Sequence, residues 1–209
     1  MSDERQAAIR ERFDSRAGEY DDNAMHRELA AAVADFADLE GVGTVLDVAT
    51  GTGLALRALA ARHPSSLKLV GVDLSPGMLA VARRELPQAE FIEGEAERLP
   101  VADASADLVT CVTALHIFAD PLAVFEEFAR VLAPEGTLVT ASFAHGPDHG
   151  HGHGPGAPNT PGYEPNHAPF QTAEALAATA APAGFVVTRW EYATFGDDAC
   201  LLAELAPVD

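Results

Sequence analysis

Residues 45–53 read Val-Leu-Asp-Val-Ala-Thr-Gly-Thr-Gly, and this stretch decides the fold class of the sequence. Its apolar start is typical of a buried β-strand, and the residues that follow Gly53 are typical of a helix. Gly51 and Gly53 allow a tight turn between the two elements and a close approach of a ligand to the backbone. Open α/β sheets bind nucleotides in the crevice formed by such a strand, turn and helix. The stretch therefore predicts an α/β fold with a site for a nucleotide-like ligand.

Two acidic residues indicate which kind of nucleotide ligand fits. Asp73 ends a second apolar run at 67–72, where a carboxylate is suited to ribose hydroxyls. Asp47 would repel a pyrophosphate at the helix start, and Leu56 occupies the place of the third glycine or alanine in the dinucleotide fingerprint. These residues favour a ligand with ribose hydroxyls, an ammonium and a sulfonium but no phosphate, and S-adenosylmethionine is such a ligand. Because dinucleotide enzymes show a similar glycine pattern, an NAD-dependent oxidoreductase stays open as an alternative.

Several segments resemble class I S-adenosylmethionine-dependent methyltransferases, and most closely their ubiquinone/menaquinone-biosynthesis-like (methyltransferase type 11) branch. The segments occur in the family's order and cover the span 45–143. They read VLDVATGTG at 45–53, LVGVDLSPGML at 69–79, GEAERLP at 94–100, DLVTCVTALH at 107–116 and ARVLAPEGTLV at 129–139. The resemblance implies a Rossmann-like, doubly wound sheet of seven mostly parallel strands, with helices on both faces and the last strand antiparallel.

The order of elements along the chain predicts one domain. Strand and helix patterns alternate, which is typical of a parallel sheet with right-handed crossovers. A chain of 209 residues is long enough for one well-buried α/β domain and too short for two ordinary ones. We expect a single methyltransferase domain over 1–209. Its parts are an N-terminal helical cap at 1–40, a cofactor-binding core at 44–143, a Gly/Pro/His-rich loop at 144–169, and a C-terminal helix and strand pair at 170–209.

Charge and composition exclude several classes of partner. The net charge is −19, from 32 acidic against 13 basic residues, which disfavours nucleic acid and anionic membrane surfaces. No apolar run is long enough for membrane insertion, and the start has no secretory signal pattern. Cys111 and Cys200 fall inside predicted strands, where free buried thiols are typical of a reducing cytoplasm. We expect a cytoplasmic protein whose partner is a small-molecule acceptor, and a homodimer stays open.

The resemblance also implies which residues bind the cofactor. The family's loop at 94–96 usually reads Gly-Asp-Ala and recognises the adenine edge, and here Glu95 replaces the shorter acid. Tyr20 lies in a segment resembling the family's Phe-Asp…Ala…Tyr-Asp opening, where the tyrosine closes over the cofactor. Packing of the N-terminal helix by Tyr20 is the alternative. The expected cofactor-binding residues are Tyr20, Asp47, Ala49, Thr50, Gly51, Gly53, Asp73, Leu74, Met78, Glu95, Ala96 and Thr113.

Methyl transfer from a sulfonium requires alignment of donor and acceptor more than a covalent intermediate. An acceptor oxygen, nitrogen or carbon that loses a proton also needs a base near the methyl group. His116, beyond the fourth predicted strand, is the candidate base, and a structural hydrogen-bonding role is its alternative. A cofactor-binding protein of this fold without transferase activity is a further alternative. The basic and aromatic segments typical of quinone-methylating enzymes are not evident, so the sequence does not specify a quinone as acceptor.

The segment 144–169 is rich in glycine, proline and histidine. In an extended chain His149, His151 and His153 would point the same way, and imidazoles bind zinc, nickel and copper. The glycines between them leave no preorganised site, so we expect no required metal. A long loop without periodicity is usually functional, and we expect this one to cover the substrate.

Overall fold

The structure is a computed structural model that describes residues 3–62, 67–144 and 163–208 of the 209-residue chain. The strands are β1 Thr44–Val48, β2 Lys68–Asp73, β3 Glu90–Glu93, β4 Ala106–Val112, β5 Leu132–Phe143, β6 Phe185–Phe195 and β7 Asp198–Pro207. The helices are α1 Asp3–Arg16, α2 Ala24–Phe36, α3 Leu54–Arg62, α4 Pro76–Glu85, α5 Pro121–Val131 and α6 Ala173–Ala180.

The strands form one seven-stranded sheet in the order β3-β2-β1-β4-β5-β7-β6. The pairs from β3 through β5 are parallel, and β7 is antiparallel to both of its neighbours. This arrangement confirms the predicted doubly wound sheet with its last strand antiparallel. The order reverses at β1, so the carboxyl ends of β1 and β4 form the edge of a crevice that can hold a ligand.

Apolar side chains cover both faces of the sheet. On one face Val109 and Cys111 of β4 pack with Phe125 and Phe128 of α5, all of them without exposed surface. On the other face Leu108 packs with residues of α2, α3 and α4. The alternation along β4 is the period-two pattern of a strand that is buried on both sides. This packing holds the carboxyl end of β4 in place beside β1.

Helix starts at the carboxyl edge are fixed by caps that the sequence predicts. The Ser75 hydroxyl accepts a 3.0 Å hydrogen bond from the Met78 amide, with Pro76 at the first helical position. Asp120 caps α5 in the same way. A cap of this kind contributes about 1 kcal/mol to stability. Leu74 and Phe118, which lie just before the two capped helices, line the larger pocket.

Two elements extend beyond their predicted ends. The apolar pattern at 137–143 predicts a strand, but β5 begins at Leu132 because pairing with β4 continues across a register shift between Ala106 and Leu108. The pattern at 3–12 predicts a helix, but α1 continues to Arg16. The extra turn places Asp14 within hydrogen-bond distance of α4. The longer helix therefore connects the N-terminal segment to the crevice.

Membrane insertion, the two cysteines and the histidine-rich segment are three further subjects of the sequence-based predictions. No helix in the ranges 3–62, 67–144 and 163–208 has the length and apolar character needed to cross a membrane. Cys111 and Cys200 are both free and buried, as the sequence predicts. His145, His149, His151 and His153 lie outside the described residues, as does most of the segment 144–169.

Candidate active site

An open pocket of about 730 Å³ lies at the carboxyl ends of β1, β2, β3 and β4. A smaller pocket of about 410 Å³ adjoins it and shares Tyr20 and Thr113 with it. Of the predicted cofactor residues, the larger pocket is lined by Tyr20, Ala49, Gly51, Asp73, Leu74, Met78, Glu95, Ala96 and Thr113, and the smaller adds Asp47 and Thr50.

The carboxylate of Asp73 fixes the glycine turn to the end of β2. One oxygen accepts a 2.7 Å hydrogen bond from the Gly51 amide, and the other accepts a 2.8 Å bond from the Ser75 amide. Gly51 has φ +55°, and a Cβ added there would meet nothing within 4 Å. The space beside Gly51 is therefore open and belongs to both pockets, whereas Gly53 packs against Ala82 and lines neither pocket.

Asp47 lies in the interior, with 2% of its surface exposed. Its oxygens accept 2.6 Å hydrogen bonds from the hydroxyls of Thr50 and Thr110. Burial raises the pKa of Asp47 to about 6, although the two hydroxyls act in the opposite direction. Asp47 therefore holds Thr50 in place and adds partial negative charge at neutral pH beneath the smaller pocket.

Burial also raises the pKa of Asp73, while its three backbone hydrogen bonds, from Ser75, Gly51 and Leu74, lower it. Each carboxylate oxygen has lone pairs beyond those that accept these amide hydrogen bonds. The carboxylate can therefore accept further hydrogen bonds from a ligand without releasing the turn. Two acids beneath one turn disfavour an anionic ligand group at this point.

Two non-glycine residues adopt left-handed backbone conformations directly after β1 and β4. Ala49 has φ 56° and Thr113 has φ 51°. A β-branched residue in this conformation is rare, and such strain costs on the order of 1–3 kcal/mol. The Thr113 amide donates a 2.7 Å hydrogen bond to the Ala141 carbonyl, which helps to hold the strained residue. Both residues line both pockets, so the strain coincides with the ligand space.

Tyr20 lies between the two pockets in a short 3₁₀ turn, Tyr20–Asp22. Its ring stacks on His26 with a centroid distance of 4.3 Å. Burial raises the pKa of Tyr20, while a hydrogen bond with the Thr113 side chain lowers it. The phenol is therefore positioned by contacts on both its ring and its hydroxyl.

Two acids on either side of Tyr20 connect this segment to the starts of two helices. Asp14 accepts hydrogen bonds of 2.5 Å from the Ser75 hydroxyl and 2.8 Å from the Gly77 amide. Asp21 accepts a 2.5 Å bond from the Thr52 hydroxyl and forms an ion pair with Arg57. The sequence did not predict either contact, because the partners are distant along the chain. The segment 14–21 is thereby attached at one end to the start of α4 and at the other end to the start of α3.

Helix α1 forms an apolar wall of the larger pocket. Ile9 and Phe13 line it, opposite Ile117 and Phe118 from the chain after β4. The Arg5 guanidinium donates a 2.8 Å hydrogen bond to the Ile117 carbonyl and so connects the two walls. Neither Ile9 nor Phe13 is among the site residues that the sequence predicts. An apolar face on α1 was the available signal for this wall.

His116 lies next to the larger pocket but does not line it. Its ring stacks on His167 with a centroid distance of 4.1 Å, and both rings contact the edge of Phe143. The Asn166 amide donates a 2.8 Å hydrogen bond to the His116 carbonyl. This cluster connects the end of β4 to the chain before α6. A role of His116 as a base stays a prediction.

The described part of the chain holds no group of three or more His, Cys, Asp or Glu side chains arranged to bind a metal ion. Glu97, which the sequence analysis did not select, lines the larger pocket two residues after Glu95. None of the pocket-lining residues in the described ranges is Lys or Arg.

Comparisons with known proteins agree with this geometry. The sequence model of a family described as a methyltransferase domain matches residues 46–140. A demethylmenaquinone methyltransferase of Chlorobaculum parvum is 39% identical over 140 residues, which cover 62% of this chain and 57% of the relative. The chain thus spans little more than half the length of this curated relative.

Solved structures share the fold at low sequence identity. A Haloferax volcanii protein, solved in complex with the Trm112 methyltransferase activator, matches with a TM-score of 0.75 and 24% identity, over 93% of this chain and 97% of its own. Residues 46–140 of this chain therefore match a methyltransferase domain, and the chain has the fold of these solved structures. The [4+2]-cyclase SpnF shares the same fold, with a TM-score of 0.66 and 22% identity over 88% of this chain and 82% of its own.

The methyltransferase domain implies S-adenosylmethionine as its cofactor, and the residues present fit that molecule. The Asp73 carboxylate, at the mouth of the glycine turn, keeps acceptor capacity for ribose hydroxyls. The amide of Gly51, which a dinucleotide site would direct at a phosphate, is instead bonded to Asp73. Asp47 adds to the acidic character beneath the turn. The site therefore fits a cationic, phosphate-free ligand better than a dinucleotide.

Proposed function

We propose that this chain transfers a methyl group from S-adenosylmethionine to a small-molecule acceptor. The observation that carries the proposal is the Asp73 carboxylate, which holds the Gly51 turn open beside a pocket without basic side chains among the described residues. The cofactor supplies an electrophilic methyl group, and in-line displacement requires that the acceptor be aligned with it. The protein's task is then to bind, align and exclude water.

Each part of the site has an assigned task under this proposal. Asp73 accepts hydrogen bonds from the ribose, and Gly51 leaves room for the cofactor next to the backbone. Tyr20 covers the cofactor from the N-terminal segment. Ala49, Thr50, Leu74, Met78, Glu95, Ala96 and Thr113 complete the cofactor surface, and Asp47 supports it from below.

The acceptor is proposed to have a largely apolar body. The wall formed by Ile9, Phe13, Ile117 and Phe118 supports this choice, because apolar surfaces bind apolar ligands by removing both from water. The similarity to a demethylmenaquinone methyltransferase also supports an aromatic, quinone-like acceptor. His116 stays the candidate base for an acceptor that must lose a proton.

We further infer a cytoplasmic protein that acts as one domain over 1–209, with the division into cap, core, loop and C-terminal pair given above. The two free buried cysteines support a reducing compartment. The chain is further proposed to associate either with a second copy of itself or with an activator protein, the latter because the Haloferax volcanii structure contains a methyltransferase activator.

A second candidate is a cofactor-binding protein of this fold that catalyses another reaction. The likeness to the [4+2]-cyclase SpnF supports considering it. The deciding experiment incubates the protein with S-adenosylmethionine carrying a tritiated methyl group and a cell extract, and measures label in the small-molecule fraction. We expect transfer that depends on the protein. Binding of S-adenosylhomocysteine without label transfer would favour the second candidate, and saturable NADH binding instead would favour the oxidoreductase.

A further inference from the structure

Glu97 is an acidic residue of the larger pocket whose carboxylate oxygens accept no hydrogen bond from another described residue. It follows β3 and lines the pocket beside Ala96. Both of its carboxylate oxygens are enclosed. Asp47 and Asp73 differ in this respect, since two hydroxyls bond to the oxygens of Asp47 and backbone amides bond to those of Asp73.

An enclosed carboxylate without a partner is costly for the folded protein. Burying a polar group without a hydrogen bond costs on the order of 1–3 kcal/mol, and more for a charge. Burial raises the pKa of Glu97, and the nearby charges of Glu95 and Asp120 raise it further, while its own backbone amide lowers it. Groups of this kind in a cleft are concentrated at functional sites.

The other available roles for this carboxylate do not fit its surroundings. Arg130 on α5 is bound to Glu127 and Asp103, and to the Leu99 carbonyl in the loop after Glu97. Within the described chain no metal-binding group of three side chains exists that would include Glu97. A bound small molecule can be its partner, because the carboxylate lines the pocket.

We propose that Glu97 is a ligand-binding residue whose carboxylate accepts a hydrogen bond from an N–H or O–H group of a small molecule in this pocket. The inference rests on the proposed function, since two molecules would then supply such a donor. One is the cofactor, through the exocyclic amino group of its adenine. The other is the acceptor, through a hydroxyl or amino group. The donor chemistry is the same in both cases.

The experiment uses Glu97→Met, which removes both oxygens at similar side-chain size, and Glu126→Gln as the control. Glu126 is an exposed acid on α5 that lines neither pocket. S-adenosylhomocysteine and S-inosylhomocysteine, which has a carbonyl in place of the amino group, are titrated by calorimetry into each protein. Label transfer from saturating tritiated S-adenosylmethionine is measured against the concentration of cell extract.

If the adenine supplies the donor, Glu97→Met lowers S-adenosylhomocysteine affinity about tenfold or more and reduces the preference over S-inosylhomocysteine. If the acceptor supplies it, cofactor affinity stays the same and the half-saturating extract concentration rises about tenfold. In either case the ligand-free Glu97→Met protein is at least as heat-stable as the unmutated one, because the burial cost is gone.

A folded Glu97→Met protein with unchanged cofactor affinity and unchanged label transfer overturns the proposal. A ligand-free variant that is less heat-stable than the Glu126→Gln control also overturns it, because Glu97 would then be structural. If the unmutated protein neither binds S-adenosylhomocysteine nor transfers label, the proposed function fails together with this inference. If the unmutated protein is active and Glu97→Met behaves in the same way, only the role of Glu97 is refuted and the proposed function stands.

Discussion

The carboxylate of Asp21 accepts a 2.5 Å hydrogen bond from the hydroxyl of Thr52. The same carboxylate forms an ion pair with Arg57 on α3. Thr52 lies inside the glycine turn, and Asp21 is the immediate neighbour of Tyr20. The N-terminal segment is thus attached to the turn that would carry the cofactor, and we expect the position of Tyr20 beside the ligand to depend on this attachment.

Replacing Asp21 by alanine should lower cofactor affinity more than it lowers stability. The variant loses the bonds to Thr52 and Arg57, whose loss we put at about 1–2 kcal/mol of binding free energy, because bonds to charged groups are in that range. Calorimetric titration with S-adenosylhomocysteine measures it. Asp22→Ala is the matched control, since Asp22 is an exposed neighbour. Equal affinity of the two variants would show that the contacts of Asp21 with Thr52 and Arg57 do not contribute to cofactor binding.

The ring and the hydroxyl of Tyr20 should contribute separately to binding. Tyr20→Phe keeps the stacking on His26 but loses the hydrogen bond with Thr113, so we expect at most about a fivefold loss of affinity, as for one neutral hydrogen bond. Tyr20→Ala also removes the ring and should cost clearly more. Fluorescence or calorimetric titration of S-adenosylhomocysteine separates the two. If Tyr20→Ala binds as tightly as the unmutated protein, Tyr20 only packs the N-terminal helix.

Local chemistry made the fold predictable. Several elements are specified by only a few neighbouring residues. These are the glycines after β1, the apolar runs in the strands, and the pairs Ser75-Pro76 and Asp120-Pro121 at two helix starts. For this reason the patterns at 54–62 and 106–112 predict a helix and a strand with the bounds that α3 and β4 have in the structure. The start of β5 was missed because its pairing with β4 across a register shift is a non-local event that no periodicity reveals.

The site was only partly predictable, and for a related reason. Residues at strand ends, such as Asp73 and Thr113, follow from the topology, since parallel strands end at one edge. Asp14 and Asp21 could not be assigned, because their partners Ser75 and Thr52 are distant in sequence. Glu97 differs from Glu95 only in its enclosure and lack of partners, which the sequence does not encode locally.

Asp47 should make stability depend on pH in a defined direction. Its folded-state pKa of about 6 exceeds the ordinary aspartate value of 3.8, so between these pH values the folded state keeps a proton that the unfolded state has released. Its contribution to stability is therefore full below about pH 4 and is lost as pH rises to about 6, by on the order of 3 kcal/mol.

Urea unfolding of the unmutated protein and Asp47→Asn at several pH values tests this dependence. The difference in unfolding free energy between the two should shift in favour of Asp47→Asn as pH rises from about 4 to about 7. Other titrating groups cancel in the difference. A difference that is constant over this range, or that shifts in the other direction, would show that Asp47 is ionised with an ordinary pKa in the folded protein.

Two glycines with similar backbone conformations make it possible to separate the effect of an added methyl group on ligand binding from its effect on the backbone. Gly51 has φ +55° and Gly41 has φ +77°, and a Cβ at either would meet no protein atom within 4 Å. Alanine at each should therefore cost a similar conformational penalty, about 1–2 kcal/mol of unfolding free energy. Only Gly51 lines the pockets, whereas Gly41 precedes β1 at the opposite edge of the sheet.

Calorimetric titration of S-adenosylhomocysteine into the unmutated protein, Gly41→Ala and Gly51→Ala tests the central claim most directly. We predict saturable binding with one site per chain, the same affinity in Gly41→Ala, and at least about a tenfold loss in Gly51→Ala, because its methyl group would occupy the space of the ligand. Absence of binding to the unmutated protein, or equal affinity in both variants, would contradict the assignment of this pocket to the cofactor.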